Sequence, residues 1–360
     1  MFETYLTYNT ILLCGVLISS IICFINSGKG VVYLLLFMAL FIPAAIRYGV
    51  GLDFFNYVDI FNNPEYYQGQ IEIGFYLIVK ILSTTGFGYQ ALFVLCSALT
   101  VIFFMLSIER DSAWASVLIF ICTLYLSSYC LLRQALAVSI LMYSCRLWIN
   151  DKKLNSIIIM LIACSMHYSA ILFAPLLIAS SVFRLTTLRT LFIMGFISIF
   201  VFALHGVDLI FNNEMFLNSK YGSYVSSGFN KETQIGTGVG VIIQILIPVS
   251  VALMANRILE INNRYNIVIF TTTAFFASYL LATQVYIFGR MADVFSFSLV
   301  FAAPILLRSA KSNISKIVFV GMICLYVPVM QATIANNNFK ANELSGSGLG
   351  ISPYKTVFDK

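Results

Sequence analysis

Charge is scarce in this chain. Only 10% of its 360 residues are Asp, Glu, Lys or Arg, where a soluble domain carries about 25%. A soluble fold is therefore excluded. Histidine occurs twice, at His167 and His205, too few to assemble a zinc set. The eight cysteines (Cys14, Cys23, Cys96, Cys122, Cys130, Cys145, Cys164 and Cys324) include no CxxC pair and lie within or at the ends of apolar runs. They read as small packing residues, and no metal and no cofactor is expected. There is no Gly-rich nucleotide loop, and the few carboxylates are too scattered for a DxD-type metal site. Internal repeats and low-complexity linkers are also missing. The N-terminal MFETYLTYNT lacks the basic n-region of a signal peptide, so the apolar stretch behind it is expected to persist as a first helix.

What the chain has in quantity is apolar surface: 60% of its residues are hydrophobic, with 32 Phe and 20 Tyr. The apolar runs are continuous and rich in Leu, Ile and Phe, which points to helices; a membrane barrel would show alternating ten-residue segments. Runs near 10–26, 31–46, 89–108, 113–130, 131–149, 190–205, 239–256, 266–283, 291–307 and 317–334 predict an all-α polytopic membrane bundle. Several fall short of the roughly 20 residues of a full span, so about 10–12 membrane-embedded helices, some tilted or partly sunken, are expected. Two segments are ambiguous. IEIGFYLIVKILST, at 71–84, carries Glu72 and Lys80 and reads as an amphipathic interfacial helix. The stretch 154–183 holds His167 in its middle and reads as a broken or re-entrant pair. The expected organisation is one integral-membrane domain over 1–335, with outer loops at 47–70 and 206–237 and a polar tail over 336–360.

The net charge of +6 comes from basic residues placed singly or in pairs between apolar runs. That is the distribution of a topology signal, not of a nucleic-acid surface, and no nucleic-acid partner is expected. If 71–84 lies on the outer surface and 154–183 dips outward at His167 and returns, the basic residues fall into order. Lys29, Arg110, Arg146, Lys152, Lys153, Arg184, Arg189, Arg257, Arg264, Arg308, Lys311 and Lys316 are then all cytoplasmic. The same assignment puts Arg47, Arg133, His167, His205 and Arg290 at the outer face. An arginine at membrane depth costs about 2.5–3.5 kcal/mol on insertion scales, so such residues usually have a partner or a task.

The task that suits them is anion binding. Arg133 and Arg290 stand at helix starts in LLRQALAVSI and IFGRMADVFS. Free backbone N–H groups there favour an anion, and a guanidinium adds bidentate phosphate geometry. Together with Arg47 they are the expected pyrophosphate ligands; the alternative is that Arg133 and Arg290 snorkel to the interface and anchor helices. Asp53, in RYGVGLD, is a candidate proton acceptor or sugar ligand, or else the ion-pair partner of Arg47. His167, in MHYSAILFAP, is a candidate general base or phosphate ligand, or a hydrogen-bonded packing residue. Tyr57, Gln134, Tyr221 and Tyr224 are candidates for sugar contact. Tyr221, Tyr224 and Phe229 equally fit an interfacial aromatic belt.

In order along the chain, RYGVGLDFFNYVDIF, EIGFYLIVKIL, RQALAVSI, HYSAILFAP, GRMADVF and the late PYK resemble the Wzy-like polysaccharide polymerases of the EpsG family. The sharpest element is the block Arg47, Gly51, Asp53 and Tyr57, followed by the pairs Arg133–Gln134 and His167–Ser169. The resemblance implies a GT-C-like, metal-independent glycosyltransferase of the bacterial inner membrane. It would join oligosaccharide repeat units carried on undecaprenyl pyrophosphate at the periplasmic face, with membrane lipid around it and a chain-length regulator as a further partner. The rivals are a lipid-linked glycan ligase, a serotype-modifying transferase, a flippase and, more distantly, an acyltransferase. A transporter should show paired or inverted halves, which this chain lacks.

Overall fold

Backbone N–H and C=O groups placed in lipid must find partners within their own segment, which is why long apolar runs become helices. A computed structural model describes residues 2–25, 28–204, 206–211, 238–285, 287–336, 339–340, 345–346 and 348–359, and it is helical almost throughout. Among the described residues, Phe2–Phe24, Lys29–Ile46, Gln90–Ser107, Asn263–Ala282 and Asn313–Asn336 are each long and apolar enough to cross a membrane. Two bent pairs, Val239–Leu253 with Ala255–Ile261 (64°) and Phe288–Phe295 with Phe297–Ser309 (45°), raise the number of candidate spans from five to as many as seven. Shorter apolar helices cover Ile73–Thr84, Lys153–Met166, Tyr168–Val182 and Thr187–Phe202. The chain is a polytopic helical membrane protein, as its composition requires. It divides into two compact units, Met1–Ala174 with Ile323–Lys360, and Pro175–Met322.

The first unit begins with α1 (Phe2–Phe24) and α2 (Lys29–Ile46), which pack on each other. Both turn Leu, Ile, Val and Met outward and keep Tyr8, Gly15, Ser19, Leu36 and Leu40 inside. An apolar exterior of this extent is the reverse of a soluble bundle. Next come α3 (Phe54–Asn62), α4 (Ile73–Thr84), α5 (Gln90–Ser107) and α6 (Ala113–Phe120), the last running into a π turn at Ile121–Tyr125. Helix α7 (Leu132–Ile149) is buried nearly all round, held between α5 and α8 (Lys153–Met166). The α7–α8 hairpin turns at Asp151, whose φ is 64°. It is locked where the Ser144 hydroxyl donates to the Ser156 carbonyl (2.7 Å) and the Ser156 hydroxyl to the Ser144 carbonyl (2.8 Å).

Helix α8 stops at His167. A 3-10 segment, Tyr168–Phe173, then leads into α9 (Ala174–Val182), so the expected broken helical pair is present. Helix α4 is short, as expected, but not amphipathic: it buries Phe75, Tyr76 and Val79 and exposes the equally apolar Ile73, Leu77 and Ile81. The polar tail is in part docked. Gly51 and Leu52 donate backbone N–H to Gly350 (2.9 Å) and Leu349 (3.2 Å), and Tyr48 to Lys355 (2.9 Å), while Val357 donates to Ile46 (2.8 Å). Ile351 and Ser352 are buried there, and the Tyr8 hydroxyl donates to the Ile351 carbonyl (2.9 Å).

In the second unit α10 (Thr187–Phe202) is followed by α11 (Gly206–Phe211), α12 (Val239–Leu253), α13 (Ala255–Ile261) and α14 (Asn266–Ala282). Helices α15 (Phe288–Phe295), α16 (Phe297–Ser309) and α17 (Asn313–Cys324) complete it, α17 carrying the chain back toward α18 (Tyr326–Asn336) of the first unit. Met194, Val201, Ala252, Phe276 and Leu280 form its apolar core. Asn266 is buried at the start of α14. Its amide donates to the carbonyls of Ser180 (2.8 Å) and Phe183 (2.6 Å) and accepts from the Leu185 N–H (3.0 Å), which supplies the end of α9 with partners.

Candidate functional site

Arg47 follows α2 in extended backbone (φ −61°, ψ 145°) and points inward. Its exposure is 0%. Nη1 donates to the Ala44 carbonyl and to Ser97 Oγ (3.3 Å), and Nη2 to the Ser128 carbonyl (3.4 Å). The guanidinium lies between the rings of Phe93 (5.0 Å) and Tyr129 (4.8 Å), a desolvated cation–π arrangement. No face of Arg47 is open to a ligand in this structure. Its geometry is that of a pin joining the end of α2 to α5 and to the chain just before α7. The alternative partner considered for it, Asp53, forms no ion pair with it; among the described residues the Asp53 carboxylate instead accepts from Asn56 Nδ2 (3.4 Å).

Arg133 does sit at a helix start, one residue into α7. Its side chain is 27% exposed, and Nη1 donates to Glu72 Oε2 at 2.6 Å. Glu72, 5% exposed, immediately precedes α4. Its second oxygen accepts the Tyr168 N–H (3.2 Å) and lies 4.0 Å from His167 Nε2. The His167 ring is fixed from the other side. Nδ1 accepts the Ser169 N–H (3.2 Å) and meets Ser169 Oγ at 2.7 Å. With Nδ1 accepting, the proton of the neutral ring belongs on Nε2, the nitrogen that faces Glu72. Arginine, glutamate and histidine, distant in sequence, thus form one continuous polar set.

Tyr57 borders this set. Its hydroxyl is 3.5 Å from the Arg133 N–H, and its ring stands edge-on to Phe75 and Phe93. Burial pushes the Tyr57 phenol up to about 12, so it stays neutral. Asp53 immediately precedes α3, one turn before Tyr57, and is half-buried. Gln134 is buried beside Arg133 on α7. Arg133 also packs over the Phe75 ring at 5.8 Å.

Close backbone approach builds the set. Gly74, in the first turn of α4, has no room for a side chain: an added Cβ would lie 2.4 Å from Ser165 Oγ and 2.8 Å from the Ser165 carbonyl. The missing Cβ lets α4 press onto the end of α8, which brings Glu72 under His167. Gly51, at φ +101°, plays the same part for the loop after α2, against Tyr129.

The structure therefore gathers Asp53, Tyr57, Gln134, Arg133 and His167 in the first unit and adds Glu72. Arg290 belongs to the second unit, in the first turn of α15, with Asp293 three residues on as an opposite charge at helical spacing. Tyr221, Tyr224, Phe229 and His205 lie outside the described residues. Among the described residues no group of three or more His, Cys, Asp or Glu comes together as a metal cage. In sequence Glu72 is one charge on an ambiguous segment, with no motif to mark it as part of a site. The signal was there: an acid directly abutting an apolar run merits the same question that the arginines raised.

The two ends of α7 differ. At the Arg133 end lie Glu72, His167 and the docked tail. At the other, Arg146 is paired with Glu109, and Arg110 donates to the carbonyls of Ile22 (3.1 Å) and Ile25. The polar set is thus confined to one end of the bundle, roughly 20 Å of helix away from the Arg110–Arg146 cluster.

No curated protein and no solved structure matches this chain. A family model matches residues 30–356, a span that includes Arg47, Asp53, Glu72, Arg133 and His167. On that match the chain belongs to the EpsG family.

Proposed function

We propose that this chain is a polysaccharide polymerase, a glycosyltransferase that joins undecaprenyl-pyrophosphate-linked oligosaccharide repeat units at the outer face of the bacterial inner membrane. Family membership supports the coarser part, a polymerase-like membrane glycosyltransferase. One observation carries the finer part: Arg133 is a partly open guanidinium at a helix start, at the edge of an apolar bundle, held by a single carboxylate. A diphosphate head lying at the membrane boundary meets there a fork of N–H donors, while its polyprenyl tail stays among the apolar helices.

In the reaction proposed, an acceptor sugar hydroxyl attacks the anomeric carbon of the donor chain. The C–O bond to the diphosphate breaks as the new glycosidic bond forms, which inverts the anomeric centre. Arg133 stabilises the charge gathering on the departing diphosphate, the kind of electrostatic term that usually dominates. Asp53 receives the hydroxyl proton, because among the described residues its carboxylate takes only the Asn56 contact whereas both His167 nitrogens already face partners. Tyr57 and Gln134 flank Arg133 and are assigned to the sugar. Arg47 positions the loop that carries Asp53. The site is drawn from the first unit alone.

The test is complementation of a deletion strain. Wild-type protein restores a ladder of glycan lengths. The Arg133→Ala variant, present in the membrane at equal amount, leaves single repeat units on their carrier or core. A full ladder from Arg133→Ala would overturn the assignment.

A further inference from the structure

Glu72 is buried more deeply than Arg133 or His167, and the proposed reaction leaves it without a task. Its carboxylate faces three groups: Arg133 Nη1, which donates at 2.6 Å, the Tyr168 N–H, which donates at 3.2 Å, and His167 Nε2, which lies 4.0 Å away, beyond hydrogen-bond distance. Two of these are held in place by backbone, at the break between α8 and the 3-10 segment. The third is the end of a flexible side chain that is itself 27% exposed. The attachments of Glu72 are therefore unequal. It is fixed toward His167 and Tyr168, and its bond to Arg133 is the one that can open.

We propose that Glu72 is a built-in stand-in for the diphosphate, holding Arg133 in register when the site is empty and reclaiming it to expel the spent carrier. The inference rests on the reading of Arg133 as the diphosphate ligand. A guanidinium has one planar fork, and a carboxylate and a phosphate present two oxygens to it in closely similar geometry. Glu72 and the donor's diphosphate therefore compete for one group. The donor prevails while its sugar chain adds contacts of its own. After transfer those contacts are gone, and the leftover polyprenyl diphosphate has to hold Arg133 against a carboxylate that is already in place. No bond is made or broken in this step; one anion replaces another. Glu72 is on this account a positioning residue, acting through Arg133.

The isosteric Glu72→Gln variant separates this role from a merely structural one. Wild-type and variant full-length proteins in nanodiscs are titrated with undecaprenyl pyrophosphate, and transfer is followed in single- and multiple-turnover regimes. The charge-free variant is expected to bind the diphosphate lipid at least about tenfold more tightly, a small share of one ion pair near a protein surface. Its later turnovers should slow relative to its own first turnover by a similar factor, because product release becomes limiting. Glu72→Asp, which keeps the charge and loosens the pair, is expected to fall between the two and serves if Glu72→Gln does not fold. Unchanged or weakened lipid binding in the folded variants would overturn the stand-in role, since lost packing cannot raise affinity for an anion. Arg133→Ala in both backgrounds keeps the two ideas apart. If it leaves diphosphate binding intact, the reading of Arg133 fails; if it abolishes binding while Glu72→Gln does not tighten it, only the role given to Glu72 fails.

Discussion

Gly51 lies against the carbonyl of Tyr129, so close that a Cβ added to it would sit 2.1 Å from that oxygen. Its φ of +101° is also one that residues with side chains rarely adopt. Gly51→Ala is therefore penalised twice, by backbone strain and by displacement of the loop. We expect a loss of about 3 kcal/mol or more, read as a lower melting temperature in detergent. A variant that melts with the wild type would show that the loop is not seated as described.

Arg133 and Arg47 should part company when each is replaced. Arg133→Ala is expected to lower glycan transfer by about 10²–10³-fold when compared at equal amounts of folded protein. Arg133→Lys should recover only part, because the ammonium lacks the planar fork.

Arg47 is expected to do the opposite. Arg47→Ala opens a cavity between Phe93 and Tyr129 and strips donors from the Ala44 and Ser128 carbonyls. The yield of folded protein should drop by an amount corresponding to about 3 kcal/mol, while diphosphate lipid binding by the folded fraction is retained. Normal yield with lost binding would return Arg47 to the set of phosphate ligands.

The docked tail makes an acid-sensitive prediction. Asp359 accepts both the Thr356 N–H and the Thr356 hydroxyl at 2.7 Å, and these bonds hold its carboxyl below the ordinary carboxylate value. A group whose value is depressed on folding stabilises above its unfolded value, about 3.9, and that contribution is lost as pH falls through the lower folded value. Amide exchange at Tyr48 and Val357, corrected for intrinsic rates, should accelerate selectively in acid. In Asp359→Asn the same amides should already exchange faster at pH 7. Equal protection of both amides in wild type and variant would leave Asp359 no part in holding the tail.

Topology is open to direct measurement. In a cysteine-free background, Lys152→Cys should react with an impermeant thiol reagent only from the cytoplasmic side. Asn56→Cys, exposed on α3 at the other end of the bundle, should react only from outside. Labelling of Asn56→Cys from the cytoplasmic side would remove the proposed site from the periplasmic face.

Composition alone decided the class of this protein. With one charged residue in ten and apolar runs of helical length, no fold but a membrane helix bundle satisfies the backbone. The positions of Arg133 at a helix start and of His167 at a helix break were legible for the same local reason: they stand where apolar periodicity is interrupted. Which charges meet was not legible. Arg47 and Arg133 read alike in sequence, each at the edge of an apolar run, yet one is sealed between two rings and the other is partly open and paired with Glu72. That difference comes from contacts 50 and 81 residues away from Arg47 and 61 residues away from Arg133. It depends on how closely α4, α5 and the docked tail approach, down to two glycines whose missing Cβ atoms no periodicity announces. Local propensity and hydropathy are properties of a segment, whereas the partner of a buried charge is a property of the packing between segments.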